Sequence, residues 1–389
     1  MDWIFISWGA LVLTFLGAPL TYNFFMKRRS LGSWNLKIDE TYQPNISILV
    51  PAHNEEKTIR LKLKNLYRVD YPAEKMEIIL VNDASTDKTL DEINEFLNSN
   101  PGRKTNVLNR TERSGKSNAL NFALKHANGD VIVVSDADCF LSVDALTKAL
   151  PYLSDPDVGA VAGREMLLNP ESSWVTKSEL FFNNFVQSQR LGESKVHSTI
   201  FFQGGLAAYK RTCLGEFDHE NDDSGTALNT VEANHRTIIV PEARFYTMFP
   251  ATWKSKFALK MRRASHLQRV WIRCLKLLLY GKLVLPKRIA IPEIFLQIFN
   301  PIVFFALFFA TAMVILEHPL FSLVFLPLLL LFLLSPRGRI ALIESFQSYF
   351  ILLIATVSLV VLRQPKVWKT ADDSRVLLNG ETLREKQLI

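Results

Sequence analysis

Cysteine is scarce: Cys139, Cys213 and Cys274 are the only three in 389 residues, far apart in the chain. That excludes a disulfide framework and suits a reducing compartment. Zinc-finger spacing and aromatic-basic RNA signatures are both missing, so the net charge of +7 does not make nucleic acid an expected partner. Between Glu40 and about Pro250 charged residues recur, and no apolar run there reaches spanning length. A cleavable signal peptide is not expected either. Asp2 precedes the first apolar run, where positive charge would stand, and Lys27-Arg28-Arg29 follows it.

What is present is apolar sequence at both ends of the chain. Hydrophobic residues make up 48% of the total, enough for a globular core plus membrane helices. Trp3 to Met26 carries no charge and reads as a retained anchor, residues 1–29, with its N-terminus outside and the chain from residue 27 in the cytoplasm. Ile298 to Leu316 and Pro319 to Leu334, parted only by Glu317 and His318, read as a tight membrane hairpin, and Phe346 to Leu362 as a third segment just long enough to cross. Many basic residues stand next to these runs, which suits anionic lipid headgroups.

Four crossings from an outside N-terminus leave the tail outside. Arg363, Lys366, Lys369 and Arg375 say that it stays inside. Either 340–362 is re-entrant or interfacial, or the first hairpin is not a true hairpin. The expected divisions are a cytoplasmic domain over 40–250, amphipathic interface helices over 251–290, a transmembrane region over 291–362 and a cytoplasmic tail over 363–389 of a cell-membrane protein.

In the central part, strand signals alternate with helical patterns. Ile46-Ser47-Ile48-Leu49-Val50 precedes a helical stretch near 55–67, Ile78-Ile79-Leu80-Val81 one near 88–98, and Val131 to Val134 one near 142–153. Repeated units of this kind predict an α/β fold with a doubly wound, mostly parallel sheet. Ligands of such sheets bind beyond the carboxyl ends of the strands, where Pro51, Asp83, Asp136 and Asp138 fall. Asp136 and Asp138 place two like charges at the end of a buried strand, which is costly unless a cation joins them. Oxygen ligands suit Mg2+ or Mn2+, with substrate phosphates completing the shell. The plain alternative is a carboxylate that only caps the following helix.

The ordered set Pro51-Ala52-His53-Asn54-Glu55, Asn82-Asp83-Ala84-Ser85-Thr86-Asp87, Gly115-Lys116-Ser117-Asn118-Ala119-Leu120, Asp136-Ala137-Asp138 and Asp222-Asp223 resembles the family 2 glycosyltransferases, inverting enzymes of the GT-A fold. The resemblance covers about 45–275, and Val367-Trp368-Lys369-Thr370 is similar to a cytoplasmic stretch after the last helix of membrane-bound members. It implies that Pro51, Ala52 and Glu55 contact the nucleotide, that Asp83 bonds its base, and that Lys116 neutralises phosphate charge. Asp136 and Asp138 match the metal motif, with Asp138 as the direct ligand. In the family's usual Glu-Asp pair the second residue is the base, which makes Asp223, beside Asp222, the candidate here. A helix N-terminus would welcome the same carboxylates for dipole reasons alone.

Gln203-Gly204-Gly205 resembles the segment lining the acceptor side. Trp253 to Lys276 has apolar residues at three-to-four spacing with basic residues between, which predicts an interfacial helix. Polysaccharide synthases of the family carry Gln-x-x-Arg-Trp in this region. Here it reads Lys260-Met261-Arg262-Arg263-Ala264, and Gln268-Arg269-Val270-Trp271 is only a shifted, partial substitute. Arg262 and Arg263 remain candidates for the diphosphate, Gln268 and Trp271 for the acceptor.

The expectation is a membrane-anchored, metal-dependent inverting enzyme moving a hexosyl group from a UDP- or GDP-sugar to a lipid-linked acceptor. The alternative within the class is a processive polysaccharide synthase that extrudes its product. Outside it stand a non-catalytic nucleotide-sugar-binding membrane protein, which needs no base, and a membrane nucleotidyltransferase, which would show a glycine-rich pyrophosphate loop after the first strand.

Overall fold

A computed structural model describes residues 3–361, 378 and 380–389. Val367-Trp368-Lys369-Thr370 and the basic residues Arg363, Lys366, Lys369 and Arg375 lie outside the described residues. The chain forms two compact units: a sheet unit, Arg29–Lys256 with Pro365–Ile389, and a helical unit, Met1–Arg28 with Phe257–Gln364.

After helix α1 (Trp3–Ser30), eight strands build one sheet: β1 (Ile46–Ala52), β2 (Met76–Asp83), β3 (Lys104–Arg110), β4 (Val131–Val134), β5 (Cys139–Leu141), β6 (Val158–Leu167), β7 (Ala207–Lys210) and β8 (Arg236–Thr247). Their order is β3-β2-β1-β4-β7-β6-β8-β5. The strands β3, β2, β1 and β4 are parallel neighbours. Residues 46–50 and all of β2 and β4 are buried, as expected of central parallel strands covered on both faces. Beyond β4 the sheet is mixed. The strand β7 runs antiparallel to both β4 and β6, β6 is parallel to β8, and β5 is antiparallel to β8.

Helices α2 (Ile59–Arg68), α3 (Thr89–Ser99) and α4 (Lys116–Leu124) follow β1, β2 and β3. The stretch expected near 142–153 is a short helix, α5 (Ala145–Ala149), continued by a 3-10 turn over Leu150–Ser154. Two further helices, α6 (Trp174–Val196) and α7 (Ser224–Glu232), complete this part. The core joins Ile48 and Val50 of β1, Ile78 and Leu80 of β2, and Ile59, Leu63 and Leu66 of α2, all essentially inaccessible.

Helix α8 (Trp253–Leu279), which belongs to the helical unit from Phe257 onward, spans the sequence expected to be interfacial. It is followed by α9 (Lys287–Glu317), α10 (Pro319–Leu334) and α11 (Pro336–Val361). Among the described residues, three helices are long and apolar enough to cross a membrane: α1, α9 and the Pro336–Leu359 part of α11. Instead of two equal arms of a hairpin, α9 extends back to Lys287 and α10 has only 16 residues, short of the ~20 that a helical crossing needs. Within this unit Trp8 Nε1 donates to Thr311 Oγ1 at 3.0 Å, and Ala264 packs with Ile351 and Ala355.

The last described residues return to the sheet unit. Helix α12 (Gly380–Glu385) brings Leu383 into a buried cluster with Phe140, Leu168 and Leu388. Asn65 Nδ2 donates to Leu388 O at 2.8 Å, fixing the segment to α2.

Candidate active site

The carboxyl ends of β1, β2 and β4 lie side by side, with Ala52 opposite Asn82 and Leu49 opposite Val134. After β1 the chain turns sharply at Asn54, whose φ is +56°. Its side-chain oxygen accepts from Thr86 N at 2.8 Å, and Asn54 N donates to Ser85 Oγ, so the first two loops brace each other. Glu55 is buried and its carboxylate accepts from Thr58 Oγ1 at 2.6 Å, at the start of α2. Pro51 and Ala52 close β1 beside this turn. Outside the ends of β2 and β3 opens a cleft of about 450 Å³ lined by Asn82, Ser85, Thr86, Asn109 and Arg110.

Asp83 holds the loop that delivers Lys116. Its carboxylate accepts from Ser114 N and Ser114 Oγ, each at 3.0 Å, and from Gly115 N at 2.8 Å, and Arg110 stands at 3.6 Å. Gly115 precedes α4 at φ +86°, a conformation open to glycine without side-chain clash.

Lys116 is then aimed into the crevice. Its Nζ lies 2.9 Å from Asp136 Oδ1, 2.7 Å from Asp222 Oδ2 and 3.5 Å from Asp223 Oδ1. Burial opposes the ammonium charge, but the three carboxylates outweigh it and hold the Lys116 pKa well above its ordinary value. Burial in turn pushes the Asp136 and Asp223 carboxyls upward, with the neighbouring carboxylates adding to it. One cation thus holds three acids together.

Neither Asp223 nor Asp136 serves as a side-chain cap, although Asp223 does stand at a helix N-terminus, where the dipole also favours its charge. Asp223 is the N-cap residue of α7, yet its side chain makes no cap bond. Asn221 Oδ1 accepts from Ser224 N instead, at 2.8 Å, which leaves the Asp223 carboxylate turned to Lys116. Asp136 is followed by strand β5 and not by a helix, and its carboxylate accepts from Lys116 Nζ at 3.1 Å.

Asp136 and Asp138 offer hard oxygen donors to a divalent cation. Their ligand atoms and that of Cys139 lie within 4.8 Å of one another. Two carboxylates fit Mg2+ or Mn2+. The Cys139 thiol, a soft donor, does not suit these hard ions; burial, with the adjacent carboxylates, holds its pKa well above its ordinary value. A cation on Asp136 competes with Lys116 for the same oxygens, so Lys116 is the group that would yield.

The glycines of Gln203-Gly204-Gly205 approach this cluster closely. A Cβ on Gly204 would fall 2.5 Å from Asp136 Oδ2, and one on Gly205 would strike the Phe245 ring. Gln203 Nε2 donates to Glu165 Oε2 at 3.0 Å. The structure therefore gathers Lys116, Asp136, Asp222, Asp223 and Gly204 at one place in the sheet unit. Arg262, Arg263, Gln268 and Trp271 belong to α8 in the helical unit, where Gln268 Nε2 donates to Gln297 O at 2.6 Å and Trp271 is fully buried.

Some supporting residues escape sequence reasoning: Ser114, Arg110, Glu165 and Lys62. Only Lys62 leaves a local signal, a lysine three residues after Ile59 on the apolar face of α2.

Comparison with known proteins agrees with this geometry. Residues 47–217 match the family described as Glycosyl transferase family 2. A curated relative, "Probable glycosyltransferase YdaM" of Bacillus subtilis (strain 168), is 31% identical over 259 residues, covering 64% of this chain and 60% of that protein. The "Beta-monoglucosyldiacylglycerol synthase" of Synechocystis sp. (strain ATCC 27184 / PCC 6803 / Kazusa) is 31% identical over 151 residues, 38% of this chain and 32% of the relative. This chain thus spans less than two thirds of either relative. Among solved structures, mannosyltransferase PcManGT from Pyrobaculum calidifontis, in complex with GDP-Man and Mn2+, matches with TM-score 0.78 and 30% identity over 92% of this chain and 99% of the other. The family match, the nearly full-length structural match and the converging strand-end acids together place this protein in the family 2 glycosyltransferases, with a GT-A fold.

Proposed function

We propose that this protein is a metal-dependent, inverting glycosyltransferase of the cell membrane, moving a hexosyl group from a GDP- or UDP-sugar on the cytoplasmic side to a lipid-linked acceptor. The observation that carries it is the meeting of Lys116, Asp136, Asp222 and Asp223 at one point beside Gly204. PcManGT, solved with GDP-Man and Mn2+, makes GDP-mannose the first donor to try. The relative named for diacylglycerol glucosylation supports a lipid acceptor.

A divalent cation held by Asp138 and Asp136 would neutralise the charge that grows on the departing diphosphate. Every other part falls to the chain. The β1 loop (Pro51, Ala52, Glu55) and Asp83 hold the nucleotide over the strand ends, and Lys116 turns from the carboxylates to the phosphates. The acceptor hydroxyl, positioned along Gln203, Gly204 and Gly205, attacks the anomeric carbon from the face opposite the diphosphate. As the new C–O bond forms and the C–O bond to phosphate breaks, the hydroxyl proton passes to the Asp223 carboxylate. The raised Asp223 pKa favours accepting it.

Residues 380–389 belong to the sheet unit, which supports an even number of crossings between residue 257 and the tail. Helices α9 and α11 supply two, with α10 too short for a third. The tail then shares the cytoplasmic side with the catalytic domain.

The test is transfer by purified protein in native-like lipid, with labelled GDP- and UDP-sugars and Mn2+ or Mg2+. Label in the lipid extract as a single added sugar is expected. Long lipid-free chains would mean a processive synthase, and no label from any donor would leave a binding protein.

A further inference from the structure

Helix α2 has an apolar face, Ile59, Leu63 and Leu66, that is wholly inaccessible. Lys62 shares that face and is as buried as its neighbours. A buried ammonium is costly unless its donors are satisfied, and two of its three are: Nζ donates to Ser135 Oγ at 2.6 Å and to Cys139 O at 2.5 Å. These two residues bracket the segment Asp136-Ala137-Asp138. One turn further along the helix, Asn65 Nδ2 donates to Leu141 O and Asn65 Oδ1 accepts from Leu141 N, each at 2.8 Å. The grip continues beyond the loop, since Ser135 Oγ donates to Gly205 O at 2.7 Å, next to the glycine that approaches Asp136 and Lys116.

We infer that Lys62 is a positioning residue: from behind the sheet its ammonium clamps both ends of the Asp136–Asp138 loop and, through Ser135, sets that loop against Gly205. The inference rests on the proposed role of this loop in holding a divalent cation. A lysine gives three N–H donors from one point, so it can hold a hydroxyl and a carbonyl on opposite sides of the loop. It also places positive charge behind two carboxylates without occupying their outer faces. Burial draws its pKa down to about 8, against the attraction of Asp136 and Asp138, so the charge costs stability. A residue kept only for packing would be apolar.

The experiment measures Mn2+ binding to the full chain in nanodiscs with GDP or UDP present, by electron paramagnetic resonance of the free ion, alongside thermal unfolding. Lys62→Met is expected to weaken Mn2+ binding by about tenfold, the low end for loss of an outer partner of a metal ligand, while the unfolding temperature holds or rises. Nucleotide affinity without metal should not change, and Lys62→Arg should not restore Mn2+ binding, its wider fork not fitting between Ser135 and Cys139. If Lys62→Met does not fold, Ser135→Ala tests the same clamp from the other end and should also weaken Mn2+ binding. Unchanged Mn2+ binding in the folded variants overturns the inference and leaves the proposed function standing. Absence of Mn2+ binding in the unmodified protein overturns both.

Discussion

Two adjacent glycines should respond to the same substitution in opposite ways. A Cβ on Gly205 would sit 2.8 Å from Phe245 Cγ and nearer still to Cδ2 and Cε2 of that ring, well inside the 3.5–4.0 Å at which carbon atoms attract. Phe245 lies on β8, is 1% exposed and belongs to the main core, which is close-packed and gives the ring nowhere to go. Gly205→Ala should therefore cost about 1–3 kcal/mol, the usual range for overpacking. At about 2–4 °C per kcal/mol for a domain of this size, the unfolding temperature should fall by roughly 2–12 °C. Gly204→Ala instead directs its methyl at Lys116 Nζ and Asp136 Oδ2, the ends of side chains that can swing aside. Its stability loss should be smaller than that of Gly205→Ala, while the ion cluster is spread and nucleotide binding weakens. Scanning fluorimetry of both variants, with GDP and Mn2+ titrated into each, reads the two effects separately. A neutral Gly205→Ala, or a Gly204→Ala that unfolds as early as Gly205→Ala, would refute the reasoning.

Asp223→Asn should lower transfer by at least about a hundredfold and leave donor affinity nearly intact, because the group acts on the acceptor proton; titration calorimetry with the donor beside a transfer assay checks both, and a large loss of donor affinity counts against the role. Asp138→Ala should remove the metal-dependent part of nucleotide binding, and chelator should do the same to the unmodified protein; equal activity with and without chelator sinks the metal assignment. Lys62, with its pKa drawn from 10.5 down to about 8, has a folded pKa below its unfolded one. Its cost of about 3 kcal/mol is fully present below pH 8 and is lifted as pH rises to about 10.5. The stability difference between Lys62→Met and the parent should shrink over that window, measured by denaturant unfolding at several pH values; a flat difference would be wrong for a charged Lys62. Leu383→Ala, at a fully buried position against Phe140 and Leu388, should destabilise the sheet unit by about 2–5 kcal/mol; no change in its unfolding temperature would mean that the end segment does not dock.

Much of this was legible along the chain, for reasons that differ from element to element. The strands β1, β2 and β4 are short continuous apolar runs closed by polar residues, and both their type and their shared carboxyl end could be read directly. The edge strand β3 could not be read that way, because Lys104, Asn106 and Asn109 break its apolar run and its burial alternates. The return of β7 between β4 and β6 turns a parallel sheet into a mixed one. Four residues, Ala207–Lys210, carry too little pattern to announce it. The second arm expected at Pro319 to Leu334 is a helix with those same bounds, but the first reaches back from Ile298 to Lys287, a boundary that depends on where the preceding chain turns.

By itself, then, the sequence determined the alternation of strands and helices, the apolar segments at both ends, and the order in which Asp83, Lys116, Asp136, Asp138 and Asp223 follow one another. These rest on periodicity and polarity within a few residues, and hydrophobic burial acts on that pattern directly. Only the tertiary structure decided that Lys116 meets Asp136 and Asp222, 20 and more residues away, that Lys62 grips Ser135 and Cys139 across 73 and 77 residues, and that Leu388 returns to Asn65 across 323. Contacts at such separations are set by strand register and close packing. The sequence shows Lys62 as a charge on an apolar helix face, but not that its partners are Ser135 and Cys139.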